Sequence, residues 1–116
     1  MTDLSRSSSN DPGDAGDITL RQFQQLIREM YYDKDAARGA DGTFVWLIEE
    51  IGELAAVLRE GTQQQRREEF ADVLAWLATI ANILDVDLTS AVADKYAAGC
   101  PGCGQFVCTC DDAEKP

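Results

Sequence analysis

Apolar residues recur at helical spacing along most of the chain. Leu20, Phe23, Leu26, Ile27, Met30 and Tyr31 fall on one helix face. Thr19 and Gln22 just ahead of them have the spacing of a capping box. The polar stretch DKDAARGADG, with Gly39 and Gly42, interrupts the pattern and predicts a loop of mixed charge. A second helix is expected from near Thr43 to Gly61, and a third from Thr62 and Gln65, which repeat the capping box, to about Asp85. A short fourth starts at Asp87 and ends near Gly99. Counted from Phe44, apolar residues stand at offsets 0, 3, 4, 7, 10, 11 and 14, and counted from Phe70 the offsets are the same. Each of these two helices therefore has one broad apolar stripe, suited to packing on the other helix or on a second copy of the chain. No alternating strand pattern precedes Cys100, so the expectation is an all-α fold with short, antiparallel connections.

Length and composition narrow the picture. With 116 residues, this is one domain. We divide it into a leader at 1–17, a helical domain at 18–98 and a cysteine-rich tail at 99–116. The leader is rich in Ser, Asp and Gly, lacks the apolar centre of a secretory signal, and reads as disordered. Lys plus Arg number 10 against 21 Asp plus Glu, a net charge of −11. That balance argues against a nucleic-acid surface and against an anionic membrane. No run approaches the ~20 apolar residues of a membrane span, and the default location is the cytoplasm. The sequence has no His, which removes Ser-His and Cys-His catalysis and every His-ligated metal. Chemistry is left to carboxylates, Lys and Arg, and four cysteines.

The carboxylates are arranged to suit that task. Glu50 and Glu53 flank the first stripe, and Glu69 and Asp72 flank the second on the same hand. Each pair is spaced i, i+3, which stacks its carboxylates one turn apart. Glu49 falls on the opposite flank but stays near Glu53 through the i, i+4 relation. Acids on a helix surface are common, and either pair alone would read as a solvated face. These pairs, however, border apolar stripes and have Leu54, Val57, Val73 and Trp76 at i+4, so no basic residue neutralises them there. Antiparallel packing would bring both pairs to one edge of the core, where they repel unless cations lie between them. Oxygen-only ligands suit Mg²⁺ or Mn²⁺.

EEIGE at Glu49–Glu53 followed by EFAD at Glu69–Asp72 has the form EExxE…ExxD. In this the chain resembles the MazG-like family of all-α nucleoside triphosphate pyrophosphohydrolases, over roughly Leu20 to Tyr96. The resemblance implies an oligomeric four-helix bundle that hydrolyses a nucleoside or deoxynucleoside triphosphate to the monophosphate and pyrophosphate. It implies Glu50, Glu53, Glu69 and Asp72 as Mg²⁺ ligands and Glu49 as the residue orienting or deprotonating a water. It also implies a homodimer or homotetramer with a site completed by a neighbouring subunit. Phosphoribosyl-ATP pyrophosphatase is the nearby alternative. From another class, a non-catalytic helical oligomer with an interaction tail fits the composition as well.

Further candidates carry a bland reading beside the functional one. Trp46 lies one turn before Glu50 and Trp76 one turn after Asp72, so either can stack on a base or simply pack. Lys34, Arg38 and Lys95 are candidates for phosphate, or ordinary surface charges. Asn82 can reach a substrate or cap a kink. In CPGCGQFVCTC, Cys100 and Cys103 have the form of a zinc-knuckle turn, while Cys108 and Cys110 are spaced C-x-C, a poorer fit to tetrahedral Zn²⁺ than C-x-x-C. The tail is then either a structural zinc site or a metal-free flexible segment, disulfides being disfavoured in a reducing cytosol.

Overall fold

The computed structural model describes residues 16–111. The leader expected at 1–17 thus lies outside the described residues except for its last two positions. The architecture is all-helical, with α1 at Leu20–Glu60, α2 at Gln63–Ile83 and α3 at Leu88–Tyr96. Both expected capping boxes form. The Thr19 hydroxyl accepts from the Gln22 amide at 3.0 Å and Gln22 Oε1 accepts from the Thr19 amide at 2.8 Å. Thr62 and Gln65 exchange the same pair at 3.1 and 2.9 Å.

The stretch expected to be a loop is helical. Helix α1 runs through it and breaks only at Gly39, with φ 87° and ψ 164°. This is backbone that only glycine occupies comfortably. The polar residues before it can continue the helix because their side chains pair along it. Arg38 Nη2 reaches Asp35 Oδ1 at 2.6 Å, an i, i+3 ion pair. Past the break, Arg38 Nε donates to Thr43 Oγ1 at 2.8 Å, and that hydroxyl donates to the Gly39 carbonyl at 2.8 Å. Thr43 is fully buried and Asp35 nearly so. Counting α1 as two rods gives the four helical segments the pattern called for, with the second starting earlier than Thr43.

Helices α1 and α2 form an antiparallel hairpin over the two-residue link Gly61–Thr62. Arg66 secures the turn by donating to carbonyls of the last turn of α1, Val57 at 3.1 Å and Leu58 at 3.4 Å. At the opposite end a buried polar clasp adjoins the apolar packing of Ile27, Ala78 and Ala81. Gln24 Nε2 donates to Asn82 Oδ1 at 3.0 Å and to the Val86 carbonyl at 2.7 Å, and Asn82 Nδ2 returns a bond to the Gln24 carbonyl at 3.3 Å. Helix α2 ends there, two residues earlier than expected, in a Schellman turn. Val86 N–H bonds the Ala81 carbonyl at 2.8 Å and Asp85 N–H the Asn82 carbonyl at 3.2 Å. Asp85 sits at φ 59°, the left-handed position usually given to glycine. Beyond it, Asp87 precedes α3 and pairs with Arg21 at 2.8 Å, a hydrogen bond that holds its carboxyl below the ordinary range.

The buried apolar core is small: Ile27, Leu47, Ala78 and Ala81. The two matched stripes are mostly outside it. Phe44, Ile48, Ile51 and Leu58 on α1, Phe70, Leu74 and Leu77 on α2, and Leu84 just past its end, are all more than 40% exposed. Of the two destinations open to those stripes, packing on each other accounts for only part of their length.

Candidate active site

The hairpin brings the acid pairs together midway along its length. Oxygens of Glu50, Glu69 and Asp72 lie within 4.8 Å of one another. Glu53 is exposed and stands just outside that group, yet close enough for its charge to act on Glu69. Glu49 is exposed beside Glu50 on α1. Glu50 Oε1 and Glu69 Oε1 are shielded from solvent and meet no hydrogen-bond donor among the described residues. The Glu69 carboxyl is pushed up to about 7, first by removal from water, then by the adjoining Glu50 carboxyl and the charges of Glu53 and Asp72. Crowded, solvent-shielded oxygens without donors are a poor arrangement for bare carboxylates. They are a good one around a hard divalent cation, which takes oxygen ligands only. The donor set therefore fits Mg²⁺ or Mn²⁺.

A cavity of about 380 Å³ adjoins the acids at the Gly39 break, and Asp72 belongs to both. The kink creates it: Lys34, Asp35 and Arg38 approach from one side of the break and Trp46 from the other, with Trp76 on α2 opposite. The two indoles face each other at 5.3 Å between centroids, tilted by 58°. The Arg38 guanidinium lies 5.5 Å from the Trp46 ring centre and 5.2 Å from that of Trp76, a double cation–π contact. Its orientation is imposed by Asp35 and Thr43.

Four of the six residues singled out for substrate thus share one cavity: Trp46, Trp76, Lys34 and Arg38. The other two lie elsewhere. Lys95 is on α3, with its ammonium 5.7 Å from the Tyr96 ring. Asn82 is buried, and its amide is engaged by Gln24 in the clasp. Asp35 and Thr43 escaped notice in the sequence. The i, i+3 spacing of Asp35 and Arg38 was the available signal, and it has meaning only once the segment is seen to be helical.

Residues 39–103 match the family model of the MazG nucleotide pyrophosphohydrolase domain. The matched segment opens at the Gly39 kink, contains all five acids and both tryptophans, and stops at Cys103, short of Cys108 and Cys110. No curated protein matches the sequence. With the acid motif carried on facing helices and more than half of the chain inside the match, the protein belongs to the MazG nucleotide pyrophosphohydrolase domain family.

Proposed function

We propose that the chain hydrolyses a nucleoside or deoxynucleoside triphosphate to the monophosphate and pyrophosphate, with Mg²⁺ as cofactor and Mn²⁺ as a substitute. The observation that carries the reading is the convergence of Glu50, Glu69 and Asp72, two of them with shielded and donorless oxygens, at the mouth of the tryptophan-walled cavity. Glu50, Glu53, Glu69 and Asp72 would hold the metal, which would supply neutralisation of the polyphosphate charge and a more acidic water. Glu49, exposed at the edge of the cluster, orients the attacking water and takes its proton. Trp46 and Trp76 receive the base, and Lys34 and Arg38 donate to phosphate oxygens. Asp35 and Thr43 hold Arg38 so that the guanidinium keeps its direction when the cavity is empty. The proposal gives Lys95 and Asn82 no substrate contact.

The same reading makes the protein a homodimer or homotetramer, the exposed stripes of α1 and α2 being its interface. The test is a panel of standard and damaged (d)NTPs, with phosphoribosyl-ATP included, incubated with the purified chain and Mg²⁺. Pyrophosphate and monophosphate released in equal amounts from a (d)NTP support the proposal. Release of orthophosphate, or turnover of phosphoribosyl-ATP alone, overturns it. No turnover with either Mg²⁺ or Mn²⁺ would return the chain to the non-catalytic class.

A further inference from the structure

The acid cluster leaves the tail unexplained. After α3 the chain turns back on itself through Gly99 and Gly104, both at positive φ, 113° and 78°. The turn is tied by Cys100 N–H to the Gln105 carbonyl at 2.8 Å and Gly104 N–H to the Cys100 carbonyl at 2.7 Å. A Cβ on Gly99 would meet the Gln105 carbonyl oxygen at 3.0 Å, so the returning backbone presses against glycine specifically. This path gathers Cys100, Cys103, Cys108 and Cys110, whose sulfurs all lie within 4.8 Å of one another.

Two observations point to what belongs among them. The first is spacing. With Zn–S bonds of about 2.3 Å, the sulfurs of a tetrahedral site stand about 3.8 Å apart. Cys100 Sγ and Cys110 Sγ are 3.8 Å apart. A disulfide would need about 2.05 Å. The second is the backbone. The amides of Gly102, Thr109 and Cys110 point at the sulfurs of Cys100, Cys103 and Cys108, each at 3.3 Å. N–H groups aimed at sulfur are the contacts that a metal-bound thiolate accepts.

We propose that Cys100, Cys103, Cys108 and Cys110 bind one Zn²⁺ per chain in a closed, structural tetrathiolate site that folds the tail into a knuckle behind α3. The C-x-C spacing of the second pair is accommodated because Cys110 N–H folds back onto Cys108 Sγ. Four protein ligands leave no position for a reacting water, so the site is separate in chemistry from the carboxylate cluster. All four sulfurs come from a single chain, so the site needs no second subunit. Cys108 and Cys110 also lie beyond the segment matched to the family.

The test uses the full chain without a polyhistidine tag, purified with no added metal. Elemental analysis should find one zinc per chain in the wild type and in Asp72→Asn, and none in Cys100→Ser or Cys108→Ser. Replacement by Co²⁺ in the wild type should give the intense visible bands of tetrahedral thiolate cobalt, a readout that needs no variant to fold. Titration with a mercurial should release the zinc as four thiols react. Iron in place of zinc, a Cys100–Cys110 disulfide by mass spectrometry, or zinc lost in Asp72→Asn but kept in Cys108→Ser would each overturn the proposal. None of these results depends on whether the chain hydrolyses nucleotides.

Discussion

At the scale of single residues, the carboxylates set the sharpest expectations. Glu53→Gln and Asp72→Asn each remove one proposed anionic ligand and little bulk. Turnover should fall by more than the roughly 10–100-fold typical of outer-shell partners, with helical circular dichroism unchanged. Wild-type kcat/KM at saturating Mg²⁺ in either variant would remove that residue from the metal site. Glu69 gives a pH signature. Its folded-state value is raised from 4.5 to about 7, so between those limits the native chain holds a proton the unfolded chain has released. Metal-free stability should therefore fall as pH rises through that window. Glu69→Gln should flatten the slope, and saturating Mg²⁺, competing with the proton, should flatten it too; urea titrations at several pH values, run with and without metal, measure both. Asp35→Asn tests the hold on Arg38. It should raise KM more than it lowers kcat, since in the proposed site the guanidinium binds substrate whether or not the bond is breaking. The acid pairs were legible in the sequence because i, i+3 spacing survives any packing of two helices. Asp35 was not, because its partner is visible only along a helix, and its segment has the composition of a loop.

At the scale of elements, the Gly39 break decides where the cavity lies. Nothing stands within 4 Å of a Cβ placed there, so Gly39→Ala meets no side chain and the cost is backbone strain alone, about 1–3 kcal/mol. Chemical denaturation should register that loss. If the helix relieves it by straightening, Trp46 and Lys34 move apart and KM rises as well. An alanine variant with unchanged stability would mean that the kink is not held as described. The helices themselves were readable from Thr19, Gln22, Thr62 and Gln65, since a capping box is a local device that owes nothing to tertiary contacts. The extension of α1 through Asp33–Arg38 was not readable, because glycine and mixed charge signal a loop unless a tertiary partner such as Thr43 intervenes. The end of α2 was misjudged by two residues for a similar reason: Asp85 takes a left-handed conformation that its residue type does not announce.

At the scale of the whole molecule, the four buried apolar side chains among the described residues, beneath two open stripes, are thin support for one isolated chain. A second copy covering Phe44, Ile48, Phe70 and Leu74 would supply the missing burial. Thermal midpoints should then rise with protein concentration, and Phe70→Glu should dissociate the assembly in light scattering and lower the midpoint. A monomer at micromolar concentration with full activity would sink this expectation. The matched stripes could be found by counting offsets. Whether they faced each other or a neighbour could not, since the same periodicity serves both.

The chain has two tryptophans, and both stand in the one cavity, 5.3 Å apart. Indoles this close exchange excitation, so the native protein should show an exciton couplet in its circular dichroism that disappears in either Trp46→Phe or Trp76→Phe. Its tryptophan emission, excited selectively over tyrosine, arises wholly at the proposed nucleotide site. A base stacking on either ring should quench that emission, giving a label-free optical titration of occupancy on a variant expected to be inactive, such as Asp72→Asn.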